Sequence, residues 1–188
     1  RHDRVIVHVR DKTQGPNYLE AGLSMSSDFE GEFDFSVRLG VLRSPINDSG
    51  GEQRFLLELG DNTGLMAEYY QPFGARGQYF GFARALYRGF PVNIYDSDGN
   101  KVARYQADQY GVNVAAGREF GNYGSLIVGL SRYTGSAELQ VGDPDLPDLD
   151  ADTGEFFVEA SVDRMNSIYL PRDGYVGALR YVASRESL

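Results

Sequence analysis

The residues best spaced for chemistry lie in one acidic stretch. Asp148, Asp150 and Asp152 alternate along it, and Glu159 stands at the twelfth position counted from Asp148, as in a calcium loop. Two features work against that reading. Position six is Thr153, where the loop needs glycine for its sharp turn, and Glu159 falls in a strand pattern instead of on a helix. A solvated surface loop fits the stretch better, and Asp148, Asp150 and Asp152 stand as the candidate calcium ligands. Other chemistry is thinner. His2 and His8 are the only histidines, and their spacing suits neither a metal site nor a catalytic base. Glu58 and Glu68 can be drawn as a glycosidase pair, yet nothing separates them from ordinary strand charge. No G-x-S-x-G nucleophile elbow occurs, and cysteine is absent, which removes thiolate chemistry and Cys-based zinc sites. The chain is therefore read as a non-enzyme, with no catalytic residues and no cofactor.

The elements that would carry any site are strands. The chain has 188 residues, of which 13 are Tyr, 11 Phe and 23 Gly, a bias toward β structure. Net charge is −9, which argues against nucleic acid as a partner. No run of 18 apolar residues is present, so a transmembrane helix is not expected. A membrane barrel needs only about 9–11 alternating residues per strand. Such alternation runs through the whole chain, because successive side chains on a strand point to opposite faces. Phe33, Phe35, Val37, Leu39 and Val41 oppose Asp34, Ser36, Arg38 and Gly40. In residues 50–73, Phe55, Leu57 and Leu59 oppose Arg54 and Glu58, and after a Gly-Asp-Asn-Thr-Gly turn Ala67 and Tyr69 oppose Glu68. Val112 and Val114 continue the apolar row, as do Leu126, Val128 and Leu130, and then Val158 and Ala160 beside Glu159. A phase slip, and hence a β-bulge, is expected near Ala83.

Eight alternating segments follow residue 17, and a ninth starts at Tyr175. The turns after Leu42, Phe73, Phe120 and Tyr169 read as compact, and those after Val92 and Val141 as longer and acidic, with residues 142–154 all loop; those after Met25 and Leu59 are short, so the asymmetry is partial. Short turns on one side and longer loops on the other is the pattern of outer-membrane barrels. Alternation alone leaves the sign open. In a soluble sandwich the apolar row faces inward; in a membrane barrel it faces out. Paired aromatics at strand ends, Tyr69-Tyr70 and Tyr79-Phe80, look like an interfacial girdle.

Several stretches resemble the barrel of patatin-like outer-membrane proteins. These belong to the superfamily that includes the assembly factor BamA and the two-partner transporters. The stretches are Gly15-Pro16-Asn17-Tyr18, Gly50-Gly51-Glu52-Gln53-Arg54, Glu68-Tyr69-Tyr70-Gln71-Pro72, and the turn from Asp163 through Pro171 to Gly174. Arg88-Gly89-Phe90 shares letters with the superfamily's V-R-G-F loop but stands too early in the strand order. The resemblance implies an all-β, antiparallel up-and-down transmembrane β-barrel. Residues 1–13 would end a periplasmic POTRA-like domain, and residues 14–188 would form the N-terminal portion, eight or nine strands, of a 16-stranded barrel. The setting it implies is the outer membrane of a Gram-negative bacterium, the partners being outer-membrane lipids, the assembly machinery during biogenesis, and a second copy as homodimer. The implied role is to anchor, and help translocate, a patatin-like lipase domain lying outside this chain. A BamA-like insertase barrel and a soluble β-sandwich binding module are the alternatives. On the barrel reading Phe33, Phe35, Val37, Leu39, Val41, Phe55, Leu57, Leu59, Ala67, Tyr69, Val112, Val114, Leu126, Val128, Leu130, Val158 and Ala160 face lipid. Asp34, Arg38, Arg54, Glu58, Glu68 and Glu159 face the lumen.

Overall fold

Nine strands form one antiparallel sheet in which each strand pairs with its neighbours in sequence, β1 through β9 in order. A computed structural model describes residues 17–27, 33–74, 76–165 and 172–185, with the side chains of Ser26, Phe33, Asp34 and Asn122 left aside. The strands are β1 (Asn17–Ser27), β2 (Phe33–Arg43), β3 (Glu52–Gly60), β4 (Thr63–Phe73), β5 (Tyr79–Tyr95), β6 (Lys101–Glu119), β7 (Gly124–Val141), β8 (Leu149–Asp163) and β9 (Val176–Arg185). The sheet is open, with β1 and β9 at its edges. The expected strand at residues 4–12 lies outside the described residues.

The connections divide into two ends. At the near end lie residues 44–51, 74, 76–78, 120–123, 164–165 and 172–175; at the far end lie 61–62, 96–100 and 142–148. Two of the motif stretches meet at the near end. Asn47 Oδ1 accepts the backbone N–H groups of Ser49 and Gly51, and Asn47 Nδ2 donates to Gln71 Oε1 at 2.8 Å. Tyr69 donates its hydroxyl to the same Gln71 oxygen at 2.7 Å. A Cβ on Gly51 would stand 2.6 Å from Asn47 Nδ2 and 2.7 Å from Gln71 Oε1, so a side chain there would displace the Asn47–Gln71 hydrogen bond. The Gly50-Gly51-Glu52 and Tyr70-Gln71-Pro72 stretches thus carry one hydrogen-bonded turn.

Asymmetry between the ends comes from strand length as well as loop length. β1 to β4 have 9–11 residues, whereas β5, β6, β7 and β8 have 17, 19, 18 and 15. Much of what reads as far-end loop in the sequence is ladder: β5 continues to Tyr95, and β8 begins at Leu149, pairing Asp150 with Ser136 and Asp152 with Thr134. Residues 149–154 were expected as loop because their carboxylates suggest solvent; they are paired, with the carboxylates on an open face. The bulge expected near Ala83 is absent. Ala83 sits in unbroken register between Tyr69 and Val114, and the β5–β6 ladder shifts only at Ile94/Tyr95. The apparent slip arises because Phe80 and Phe82 place aromatic rings on the mixed face while Ala83 and Ala85 place small ones on the apolar face.

Those rings explain how a single sheet buries anything. Phe80, Tyr133 and Phe157 stand directly opposite glycines on neighbouring strands: Gly117, Gly111 and Gly129. A Cβ on Gly129 would lie 2.5 Å from Phe157 Cζ and 2.7 Å from Ala115 Cβ; on Gly117 it would lie 2.5 Å from Phe80 Cζ. Each ring lies across its partner's bare backbone, covering it from water and gaining contact in return. Phe80, Ala115 and Phe157 are buried this way, together with Ser36, Asn113 and Ser131.

Candidate functional site

The register unites the apolar rows of all nine strands into one face. Leu19, Ala21 and Leu23 pair with Val41, Leu39 and Val37, which pair in turn with Phe55, Leu57 and Leu59. The row passes through Leu65, Ala67 and Tyr69 to Ala85 and Ala83, then to Val112 and Val114, Leu130 and Val128, Phe156 and Val158, and Tyr181. These rows share one face, and the face is open: Val112 is 53% exposed, Val114 56% and Leu130 56%. On the opposite face of the same strands Asn113 is 7% exposed and Ser131 5%. Phe33 and Asp34 lie outside the described side chains.

The opposite face holds the charges expected to share it. Arg38 donates to Glu58 at 2.9 Å, and Ser36 Oγ donates to the other Glu58 oxygen at 3.0 Å. Arg84 reaches Glu68 with Nε at 2.8 Å, and Arg54 stands opposite Glu68 in register. Arg180 lies 3.7 Å from Glu159 and packs over the Phe157 ring. Arg88 donates to Gln109 at 2.6 Å. Arg54, Glu52, Glu68, Tyr70 and Leu42 line a cleft of about 230 Å³ on this face. Glu58 and Glu68 each accept from an arginine, so each is spent as an ion-pair acceptor and not held in an acid–base pair. Alternation already places Arg84 on the charged face, whereas Arg88 and Arg180 completed their pairs unforeseen; the signal for each partner was register, which strand periodicity alone does not set. The expected aromatic pairs divide between faces. Tyr69 and Tyr79 edge the apolar face, while Tyr70 and Phe80 pack together on the other, their centroids 5.4 Å apart.

Along β5 to β7 the polarity of the two faces inverts. On the near side of Tyr110, the row Tyr110, Val112, Val114, Ala116 is apolar and exposed. On the far side the same row reads Asp108, Gln106, Arg104, and the apolar residues Ala103, Tyr105 and Ala107 take the opposite face, with Ala103 and Tyr105 buried. Their partners follow suit, Ala107 pairing with Phe90 and Ala137, and Tyr105 with Val92 and Leu139. No register shift separates the two regimes between Tyr105 and Glu119, so no bulge produces the inversion. The far half follows the rule for a sheet in water, apolar within and polar without; the near half reverses it. The boundary carries Tyr87 and Tyr110, with ring centroids 5.0 Å apart, and the other limit of the band carries Phe73 and Tyr79, stacked at 6.1 Å. Eight residues of strand separate the Tyr87/Tyr110 row from the Tyr79/Arg118 row. At about 3.3 Å per residue that is roughly 26 Å along the strand, or about 20 Å of height at a 40° tilt.

The acidic stretch gathers no ion site. Asp148 Oδ1 accepts the Leu139 N–H at 3.0 Å, Asp152 pairs with Arg132 at 3.1 Å, and Glu159 falls on the face opposite Asp150 and Asp152. Among the described residues no three His, Cys, Asp or Glu side chains are placed to hold a metal. The calcium set fails because extended strand spreads alternate residues along a line, where a loop would curl them about a point. His2 and His8 lie outside the described residues.

Asp96 has a different role, closing the β5–β6 tip. Its carboxylate accepts the Asn100 N–H at 2.8 Å, the Asn100 side-chain amide at 3.2 Å and the Asp98 N–H at 3.0 Å. These bonds, Asn100's backbone bond foremost, favour the charged form and hold its pKa below the usual 3.8. A depressed carboxylate stabilises the tip fully above its unfolded pKa and stops doing so as pH falls through the lowered value. Acidification below about pH 4 is therefore expected to loosen Gly99 and Asn100 while the rest of β5 and β6 holds. Amide chemical shifts of these two residues across an acid titration check this, with Asp96→Asn flattening the response.

No known family model matches the chain, and no curated protein matches it.

Proposed function

We propose that this chain forms part of the wall of a transmembrane β-barrel in a bacterial outer membrane, with the exposed apolar band against lipid and the ion-paired face toward a wet lumen. The observation that carries the reading is the inversion of facial polarity at Asp108–Tyr110 within an unbroken ladder. One sheet that obeys the aqueous rule in its far half and the reverse rule in its near half fits a medium that changes at that level. Magnitudes point the same way. Leaving one large apolar side chain in water forgoes about 1.5–3 kcal/mol of burial, and this face presents such side chains on every strand. The sum exceeds the roughly 5–15 kcal/mol by which whole domains are stable, so the face calls for an apolar covering. A soluble sandwich would need a second sheet on the apolar side. An outer-membrane band is about 25 Å tall with aromatic girdles at both limits, as the Tyr87/Tyr110 and Phe73/Tyr79 rows would supply.

The open sheet needs completion, since unpaired edges are costly in lipid. β1 and β9 both run from near end to far end, because an odd number of antiparallel strands separates like directions. Fully antiparallel closure therefore takes an odd number of further strands, as a 16-stranded barrel provides. The motif stretches support the finer assignment, a barrel of patatin-like type that anchors and helps export a lipase domain. The chain, extracted from membranes and run on a gel in detergent, is expected to migrate faster unheated than boiled. A cooperative melt as a detergent-free soluble monomer would overturn the reading.

A further inference from the structure

We infer that the near-end rim of the apolar band is a binding site for the phosphate of membrane lipid headgroups, built from Arg118 and Arg164 on an aromatic arc. The inference rests on the membrane reading above and adds to it which end, which residues and which lipid chemistry. Arg118 ends the apolar row of β6, after Val112, Val114 and Ala116, and pairs in register with Tyr79 and Leu126. Its guanidinium lies between two rings, 5.4 Å from the Tyr79 centroid and 5.0 Å from that of Phe120. Tyr79 stacks in turn on Phe73. Three residues after Phe120, the Tyr123 ring carries a second guanidinium, Arg164, at 4.4 Å. Both arginines and both turn aromatics are exposed.

Two arginines at the limit of an apolar band need a reason, because the interior ion pairs show what this chain does with cations it means to neutralise. On the ion-paired face Arg38, Arg84 and Arg180 each have a carboxylate within 4 Å, and on the apolar side Arg132 has Asp152. Among the described residues, Arg118 and Arg164 have none; rings hold them instead. A ring face fixes the guanidinium plane through cation–π attraction but leaves its N–H edge unspent. That edge matches the spacing of two oxygens on a phosphate, the bidentate geometry in which arginine surpasses lysine. The rim of the band is where headgroup phosphates would lie, and where aromatic residues collect in membrane proteins. Charge distribution assigns the end. The far-end connections carry Asp61, Asp96, Asp98, Asp143, Asp145 and Asp148, a field that repels anionic headgroups. The near-end arc draws them in.

The experiment compares spin-labelled lipids around the full chain reconstituted in phosphatidylcholine bilayers. Electron paramagnetic resonance reads the fraction of motionally restricted lipid, for labelled phosphatidylglycerol against labelled phosphatidylcholine, at low and at raised salt. The wild-type chain is expected to favour phosphatidylglycerol roughly fivefold. The Arg118→Gln/Arg164→Gln double variant should fall to near parity, and Arg118→Lys/Arg164→Lys should lie between, keeping charge but losing the fork. Arg88→Gln, on the other face, should leave the preference intact. Inorganic phosphate added at millimolar level should compete weakly, distinguishing a lipid-phosphate site from one for the free ion; full competition overturns the lipid assignment. Restricted lipid without headgroup preference, or a preference the glutamine pair leaves unchanged, overturns the inference while the membrane reading stands. No restricted lipid at all overturns both.

Discussion

Replacing Val114 with arginine is expected to destabilise the inserted chain by about 2–4 kcal/mol, whereas Gln106→Arg, eight residues away on the same row of the same strand, is expected to cost nearly nothing. Both positions project from the exposed face of β6, so a difference between them cannot come from strand propensity or from facing. Val114 is 56% exposed and neighboured by Ala83 and Leu130 in register. Gln106 pairs with Pro91 and Glu138 beyond the Tyr87/Tyr110 boundary. In lipid, a guanidinium at mid-band must be dehydrated or drawn toward a headgroup, and the cost falls toward zero past the boundary. In water the two substitutions would be alike, since a charge on an exposed strand position shifts stability by only a few tenths of a kcal/mol. Unfolding by denaturant from phospholipid vesicles, followed by the folded gel band, gives the two costs. Equal and small values would sink the membrane assignment. A scan of single arginines at 106, 108, 110, 112, 114 and 116, with the native Arg104 as the outer reference, should trace a step near 108–110.

That step was half legible in the sequence. Alternation placed Val112 and Val114 on the apolar row and saw that the first half of β6 is polar at Arg104, Gln106 and Asp108. It did not see that Ala103, Tyr105 and Ala107 take the other face there, because alanine carries little hydrophobic signal and the inversion keeps strict period two throughout. Phase is a property of one strand; which side is covered is a property of its neighbours. The same limit explains the far-end strands. Asp150 and Asp152 read as loop because carboxylates are depleted in strands, yet they extend β8 against Ser136 and Thr134. A strand that leaves an apolar medium and continues in water has no reason to keep apolar residues on its outer face.

The candidate site divides along similar lines. Parity alone puts Arg38, Arg54, Glu58, Glu68 and Glu159 on one face, since register preserves parity across a ladder without bulges. Their pairing needed the register itself: Arg38 meets Glu58 across β2 and β3, joined by residues 44–51, and Arg84 meets Glu68 across β4 and β5, joined by the turn after Phe73, and those connections set the offsets. The bulge expected at Ala83 failed for a related reason. A row of Phe80, Phe82, Ala83 and Ala85 looks like a broken phase if aromatics are assumed to mark the apolar face. Here the rings go to the mixed face because glycines on the adjoining strands leave room for them.

Gly129→Val is expected to cost about 1–3 kcal/mol for that reason, and the loss should be partly relieved by Phe157→Ala. Gly129 has an ordinary strand conformation, so the cost is not one of backbone strain. It comes from space: a Cβ there would press on the Phe157 ring at 2.5–2.7 Å and on Ala115 Cβ at 2.7 Å. Ala115 belongs to β6 and cannot retreat without disturbing its own ladder, so the ring must move. Phe157 is only 5% exposed and has Arg180 over its face at 4.8 Å, so displacing it also loosens the Arg180–Glu159 pair on β9 and β8. Phe157→Ala alone removes a buried ring and should cost on the order of 3 kcal/mol. In the double variant the valine occupies volume the ring has vacated, so the two losses should sum to less than their separate values, a coupling of at least about 0.5 kcal/mol. Gly22→Ala serves as the control, because its added Cβ meets nothing nearer than Arg38 Cβ at 4.0 Å. The cycle is read from denaturant unfolding of the four chains under one lipid condition. Additive losses would mean that ring and glycine are independent, and that the burial of this face has another cause.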